Sequence, residues 1–432
     1  MPHLPHTVLV LLLFCVSGSC LATLPQLTVS RGKITTSNTH TPFIPRGANY
    51  IRLNASQGGA SPTDPTHPVY HSTFSPRLFN ATQAQARLAQ LHAQGYNIVR
   101  VFVDHGDPTR HDGVVLGKYL SPRYMDNVAT FVRLASRFHM YTIPTLELFP
   151  SYVPRYNCNA SVLDQQLFPY PNAALFVAGC VRAKRQYGID FLFELKQRLG
   201  SLSSIGMVLI ENELSVSVGA APFLATAGSV RPANNQTYDL SNSSQRLGLV
   251  EDSGRFWSTS VRTGLRSIDP NVLVGVGMFT FAAVSALVVQ GGSTFATLGS
   301  STDQTPKEIC FRTWYSSMFV SFFQVGRTFA TSQQFPPCNT TTEDCRVPPR
   351  PSSLQHAVDV LDVHVYQSPS WAGLSLDLDS SDWKSVSGSS TPIVMGEFGA
   401  FRAQPTVFAT PAAAAVAMVK QQVSVLCVAV DA

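Results

Sequence analysis

Two glutamates, Glu213 and Glu397, each close an apolar run of this 432-residue chain. Glu213 ends a hydrophobic stretch inside SSIGMVLIENELSV, residues 203–216, and Glu397 stands between glycines in TPIVMGEFGA, which begins at Thr391. A carboxylate at the end of a buried strand is costly unless it is exposed or has a use. Two carboxylates delivered by separate strands to one face suit glycoside hydrolysis with retention of configuration. One neutral carboxyl protonates the leaving oxygen and one ionised carboxylate attacks the anomeric carbon, the two lying about 5–5.5 Å apart. Arg100, within NIVRVFVDHG, is the kind of neighbour that lowers a carboxylate pKa and keeps it charged. His364 and Tyr366 are two apart in DVLDVHVYQ, so a strand there points both side chains the same way. Asp104 and His105, just past the Arg100 run, read as loop residues. Trp371 offers a flat face that serves a sugar ring or ordinary packing equally well.

The elements that must carry these residues alternate along the chain. Eight β-rich runs are predicted: TPFIPRGANYIRL, NIVRVFVDHG from Asn97, YTIPTLEL from Tyr141, the 203–216 stretch, LVGVGMFT from Leu273, DVLDVHVYQ from Asp359, TPIVMGEFGA from Thr391 and SVLCVAVDA from Ser424. Between them fall helical patterns over 81–95, 121–139, 174–200 and 253–269, the first with Gly95 at its C-terminal end and the second with a Ser-Pro start. Alternating strands and helices imply a parallel sheet. Eight such units, with no G-x-G-x-x-G after the first strand, favour a closed (β/α)8 barrel over an open dinucleotide-binding sheet. Barrel enzymes place their chemistry at the C-terminal strand ends, where Glu213 and Glu397 fall. A stretch from 285 to 351 is too long for a simple βα connection and reads as an insertion after the fifth strand. The eighth unit is expected to be incomplete, because SVLCVAVDA is a strand with no helix behind it.

Composition sets the outer bounds. Apolar residues make up 44% and charged residues 13%, enough for a large core. The net charge of +5 is scattered rather than gathered into a phosphate-tracking patch, which argues against a nucleic-acid partner. The run VLVLLLFCV, residues 8–16, followed by Cys20-Leu21-Ala22, reads as an export signal of residues 1–22, too short to span a bilayer. The remaining chain, 23–432, reads as one catalytic domain. Six cysteines remain in it, with 15 possible pairings, of which the local pair Cys158–Cys180 is preferred. Six N-x-[ST] sequons, at Asn54, Asn80, Asn159, Asn235, Asn242 and Asn339, agree with a secreted glycoprotein of eukaryotic type. Neither a G-x-S-x-G elbow nor an H-E-x-x-H or C-x-x-C metal signature occurs.

RGANY, the arginine of NIVRVF, IENE, HVY and GEFGA, in this order from about Phe43 to Ala400, resemble glycoside hydrolase family 5 and its clan of retaining (β/α)8 enzymes. The resemblance implies a hydrolase of β-linked glucan, mannan or a related glycan that needs no cofactor. Glu213 would be its acid/base and Glu397 its nucleophile. Asn212 would bind the sugar 2-hydroxyl and Arg100 would hold Glu397 ionised. His364 and Tyr366 would line the subsite of the scissile bond. Strict alternation would set Glu211 beside Glu213 and turn Asn212 away, so this geometry requires the strand to bend and leaves Glu211 a structural carboxylate in need of a cation. The family's eighth strand usually carries a tryptophan, and SVLCVAVDA has none. A barrel that binds carbohydrate without cleaving it, and a clan member acting on glycolipid, are the competing expectations.

Overall fold

A computed structural model describes residues 24–51, 60–61, 64–68, 72–76, 78–103, 113–147, 149–279, 346–366, 386 and 390–399. The expected signal segment 1–22, Asp104, His105, Trp371, the SVLCVAVDA strand, most of the 285–351 insertion, the cysteines Cys310, Cys338, Cys345 and Cys427, and the sequons at Asn54 and Asn339 lie outside the described residues.

The chain opens with a hairpin, β1 (Leu27–Ser30) and β2 (Lys33–Thr36), that the sequence reading did not anticipate. Its two-residue turn puts Arg31 and Gly32 at φ 51° and 72°, the positive pair that a tight antiparallel hairpin demands. The main sheet follows: β3 (Gly47–Tyr50), β4 (Ile98–Phe102), β5 (Tyr141–Thr145), β6 (Val208–Leu209), β7 (Val274–Phe279), β8 (Val360–Tyr366) and β9 (Ile393–Gly399). All neighbours are parallel, and their spatial order is their order in the chain. A doubly wound sheet would reverse that order about a switch point. Here it never reverses, and β9 returns to approach β3, so the sheet curls nearly shut as a (β/α)8 barrel.

The helices between strands are set by caps and stripes. Helix α1 (Ala81–Ala93) starts where Asn80 accepts the Gln83 N–H at 3.0 Å, and the chain leaves through Gly95 at φ 84°. Helix α2 (Pro122–Arg137) is capped by Ser121 and buries Tyr124, Val128, Phe131, Val132 and Ala135 at helical spacing. The 174–200 pattern is two helices beyond the short α3 (Val162–Leu167): α4 (Ala173–Phe176) and α5 (Ala178–Leu199), separated by an extended Val177. The break lets Gly179 press on Cys158, whose carbonyl oxygen would sit 1.6 Å from any Cβ, and the Cys158–Cys180 disulfide pins the same point. Helix α6 (Ser243–Arg266) begins ten residues before the predicted 253–269 start, at an Asn242 cap. Gly254, inside the predicted span, is needed for packing, since a Cβ there would meet Pro349 at 2.8 Å.

Strand alternation sorts the barrel residues into two sets. Val99, Val101, Leu361 and Val363 face outward into the helix layer. Ile98, Tyr141, Leu209, Leu273 and Val360 face inward at the N-terminal ends and pack with Leu24, Leu27 and Ile34 of the hairpin segment, which closes that mouth. One step further up the same inward rows, Ile98 gives way to Arg100, and Val360 to Asp362 and then His364. The interior is therefore apolar below and charged above.

Candidate active site

The charged end is built around Arg100. Its side chain is buried with 4% exposure, and its guanidinium lies 4.5 Å from the Phe102 ring centroid. Nη2 donates to Asn212 Oδ1 at 2.6 Å and lies 3.4 Å from His364 Nε2, and Nη1 reaches Asn49 Oδ1 at 3.4 Å. Nε is 3.6 Å from Asp362 Oδ2. His364 is fully buried, with Nε2 3.3 Å from Asp362 Oδ2 and Nδ1 3.2 Å from Glu213 Oε1. Glu213 keeps 18% side-chain exposure, so it is the partly open member of a closed lattice. A buried Arg, His and Asp survive in an apolar barrel because they neutralise and bond one another.

The stretch carrying Glu213 bends as the resemblance requires. Regular strand ends at Leu209, and Ile210, Asn212 and Glu213 are bends. Asn212 turns to Arg100 and Glu213 to His364, while Glu211 goes the other way to Lys184 of α5, Oε2 to Nζ 3.1 Å. The carboxylate expected to need a cation has one. Lys184 is buried and also donates to the Leu146 carbonyl at 2.5 Å, and its burial pulls its pKa below the usual lysine value, with Glu211 and Glu147 opposing. The Tyr170 hydroxyl is pushed up by burial and then by the negative charges of Glu211 and Glu147.

Glycines make the room. Gly277 faces inward from β7, and a Cβ there would stand 1.9 Å from the Asn212 carbonyl oxygen and 3.1 Å from His364 Nε2. Its N–H donates to the Glu211 carbonyl at 3.0 Å, and its own carbonyl accepts the Leu214 N–H at 2.9 Å, so the bend is clamped to β7 on both sides. The obstruction at Gly277 is backbone, which cannot swing aside. Gly277→Ala is therefore expected to cost about 1–3 kcal/mol of stability by overpacking and, by shifting the bend about 1 Å, about 10²-fold in any activity that needs Glu213. Denaturant unfolding and turnover measured on the same preparation check it; an alanine variant with native turnover would show that the bend does not matter.

Of the residues singled out in the sequence, Arg100, Asn212, Glu213 and His364 come together at the C-terminal end of the sheet. Glu397 and Tyr366 are placed by their backbones: Glu397 pairs with His364 across β8 and β9, and Tyr366 lies two residues beyond His364 on the same strand. The register slips by one residue on β9 just before that pair, leaving Gly396 as the extra residue of a bulge. The Asp362 carboxylate fills the space Gly396 leaves, since a Cβ at 396 would lie 2.0 Å from Oδ1. Asp362 is the residue sequence reasoning missed. Its signal was the same two-residue period that linked His364 to Tyr366, read one step short, for Asp362-Val-His364 puts both side chains on one side of β8. Among the described residues, no group of three or more His, Cys, Asp or Glu side chains is arranged to hold a metal ion, and no helix is long and apolar enough to cross a membrane.

Fold and site together define a parallel barrel with a buried Arg–Asp–His–carboxylate lattice at its C-terminal mouth. No family model and no curated protein matches the sequence. Among solved structures the chain is similar to an exo-β-1,4-mannosidase from Opitutaceae bacterium strain TAV5, with 14% identity and a TM-score of 0.47, over 92% of this chain and 52% of that one. It is also similar to a β-mannanase from the blue mussel Mytilus edulis (14% identity, TM-score 0.40, 88% of this chain and 84% of that one) and an endo-1,4-β-mannanase from Rhizomucor miehei (14%, 0.44, 87% and 82%). The chain spans about half the length of the first of these.

Proposed function

We propose that the chain is a retaining glycoside hydrolase of the family 5 type, cleaving O-glycosidic bonds in a β-linked mannan, glucan or related glycan. The observation that carries the reading is the position of Glu213, partly open and in contact with a buried His364 whose strand partner is Glu397. Glu397 attacks the anomeric carbon as the glycosidic C–O bond breaks, and Glu213 gives its proton to the departing oxygen. Water then cleaves the glycosyl-enzyme ester, with Glu213 taking a proton back. With its proton on Nε2 directed at Asp362, His364 accepts through Nδ1 from the neutral Glu213 carboxyl and holds the acid for transfer. Arg100 supplies the positive charge that favours an ionised nucleophile, and it fixes Asn212 for the sugar 2-hydroxyl. Tyr366 and Trp371 are proposed as further sugar contacts. An export signal over residues 1–22 and N-glycans place the enzyme outside the cell. The exposed Asn80, Asn159, Asn235 and Asn242 support the glycans, and the Cys158–Cys180 disulfide supports an oxidising compartment.

The test is turnover of aryl β-mannosides and β-glucosides and of mannan and glucan polymers by the purified protein, with the anomer of the first product read by NMR. A β-anomer released first supports the proposal, and an α-anomer overturns the double-displacement mechanism. Binding of the same glycans without any turnover would favour an inert carbohydrate-binding barrel, the reading to which the tryptophan-free SVLCVAVDA stretch lends weight.

A further inference from the structure

Lys184 has no place in the chemistry just proposed, yet it is a fully buried cation at the mouth of the barrel. It projects from α5 between the ends of two strands, donating to Leu146 just past β5 and to Glu211 just past β6. Trp257 of α6 covers it, its ring centroid 5.7 Å from Nζ. Glu211 in turn accepts the Asn212 N–H on Oε1 at 3.2 Å, and its carbonyl accepts the Gly277 N–H at 3.0 Å. A continuous chain of contacts therefore runs from Lys184 through Glu211 and Asn212 to Arg100, and from Arg100 through His364 to Glu213.

We propose that Lys184 and Glu211 are positioning residues for acid catalysis, their ion pair forcing the bend that turns both Asn212 and Glu213 into the site; this rests on the hydrolase reading above. The argument compares two courses of the same chain. In an unbent strand, side chains alternate, so Glu211 would lie inside the barrel beside Glu213 and Asn212 would point away from Arg100. Two carboxylates would then share the site, and the buried Lys184 would lose its 3.1 Å contact with Glu211, which is unfavourable. In the bent course, Glu211 leaves the barrel to meet Lys184, and the next two residues both face inward. The lysine makes the straight course expensive, and Gly277 leaves space for the bent one.

A role in acid catalysis has a signature that general loosening of the fold lacks. A 2,4-dinitrophenyl β-glycoside departs without a proton, whereas an alkyl β-glycoside needs one from Glu213. Glu211→Gln is expected to lower kcat/KM for the alkyl substrate about 10²-fold more than for the dinitrophenyl substrate. Lys184→Met alone removes the buried cation facing Glu211 and can cost the fold, so the informative partner is Lys184→Met/Glu211→Leu. This double variant removes both charges, is expected to melt within a few degrees of the native protein, and keeps the alkyl-selective defect. Equal losses on both substrates in Glu211→Gln, or recovery of alkyl turnover together with stability in the double variant, would overturn the proposal. If the native protein cleaves no glycoside at all, the hydrolase reading fails separately. The positioning claim is then decided by the crystal structure of the double variant: Asn212 and Glu213 still turned to Arg100 and His364 overturns it, and a straightened strand supports it.

Discussion

Glu397→Gln is expected to abolish formation of a covalent glycosyl-enzyme while leaving the barrel folded. The substitution is isosteric, and its backbone position is held by the β8–β9 ladder, where residue 397 pairs with His364 and the bulge at Gly396 closes over Asp362. Those restraints do not depend on the charge of residue 397. The reaction does, because an amide cannot attack an anomeric carbon and leave as a carboxylate. Where a covalent nucleophile is removed from an enzyme, kcat falls by up to the order of 10⁶. With a 2-deoxy-2-fluoro β-glycoside carrying a good leaving group, the native protein should gain the mass of one sugar, and peptide mapping should find it on Glu397. The variant should gain none. A labelled variant, or native turnover in it, would remove Glu397 from the nucleophile's role.

Arg100→Met should be the most damaging change to stability at the site. Asp362 has 2% exposure, Arg100 is its guanidinium partner, and Oδ1 finds no hydrogen bond among the described residues. Removing one partner of a buried ion pair costs about 3–5 kcal/mol. Arg100→Met/Asp362→Leu, which removes both charges, should recover most of the deficit in urea unfolding. No recovery in the double variant would mean that the arginine matters for packing alone.

The positions of Arg100, Glu213 and Glu397 were legible because each ends or interrupts an apolar run, and polar residues there contradict their surroundings. The bend at 210–213 was legible as a contradiction too, since alternation and chemistry could not both hold in a straight strand. What lay behind the bend was hidden. Lys184 sits in the basic run Arg182-Ala-Lys184-Arg185, where any one of the three looks like a solvated helix side chain. Only the placement of α5 beside Leu146 and Glu211 selects the middle one for burial, and such tertiary information has no local signal. The hairpin of residues 27–36 escaped notice because its turn is Arg-Gly, a weaker marker than Asn-Gly, although the alternation on either side was present. The first ten residues of α6 were obscured by Gly248, since a glycine lowers the helical signal.

The hairpin has a practical bearing on how the molecule is made. It acts as a stopper, with Leu24 and Leu27 pushed into the lower mouth and the Tyr141 hydroxyl latched to the Pro25 carbonyl. Trimming into residues 24–27 would uncork the barrel floor beneath an otherwise undamaged site, so recombinant forms should keep every residue from Leu24 onward.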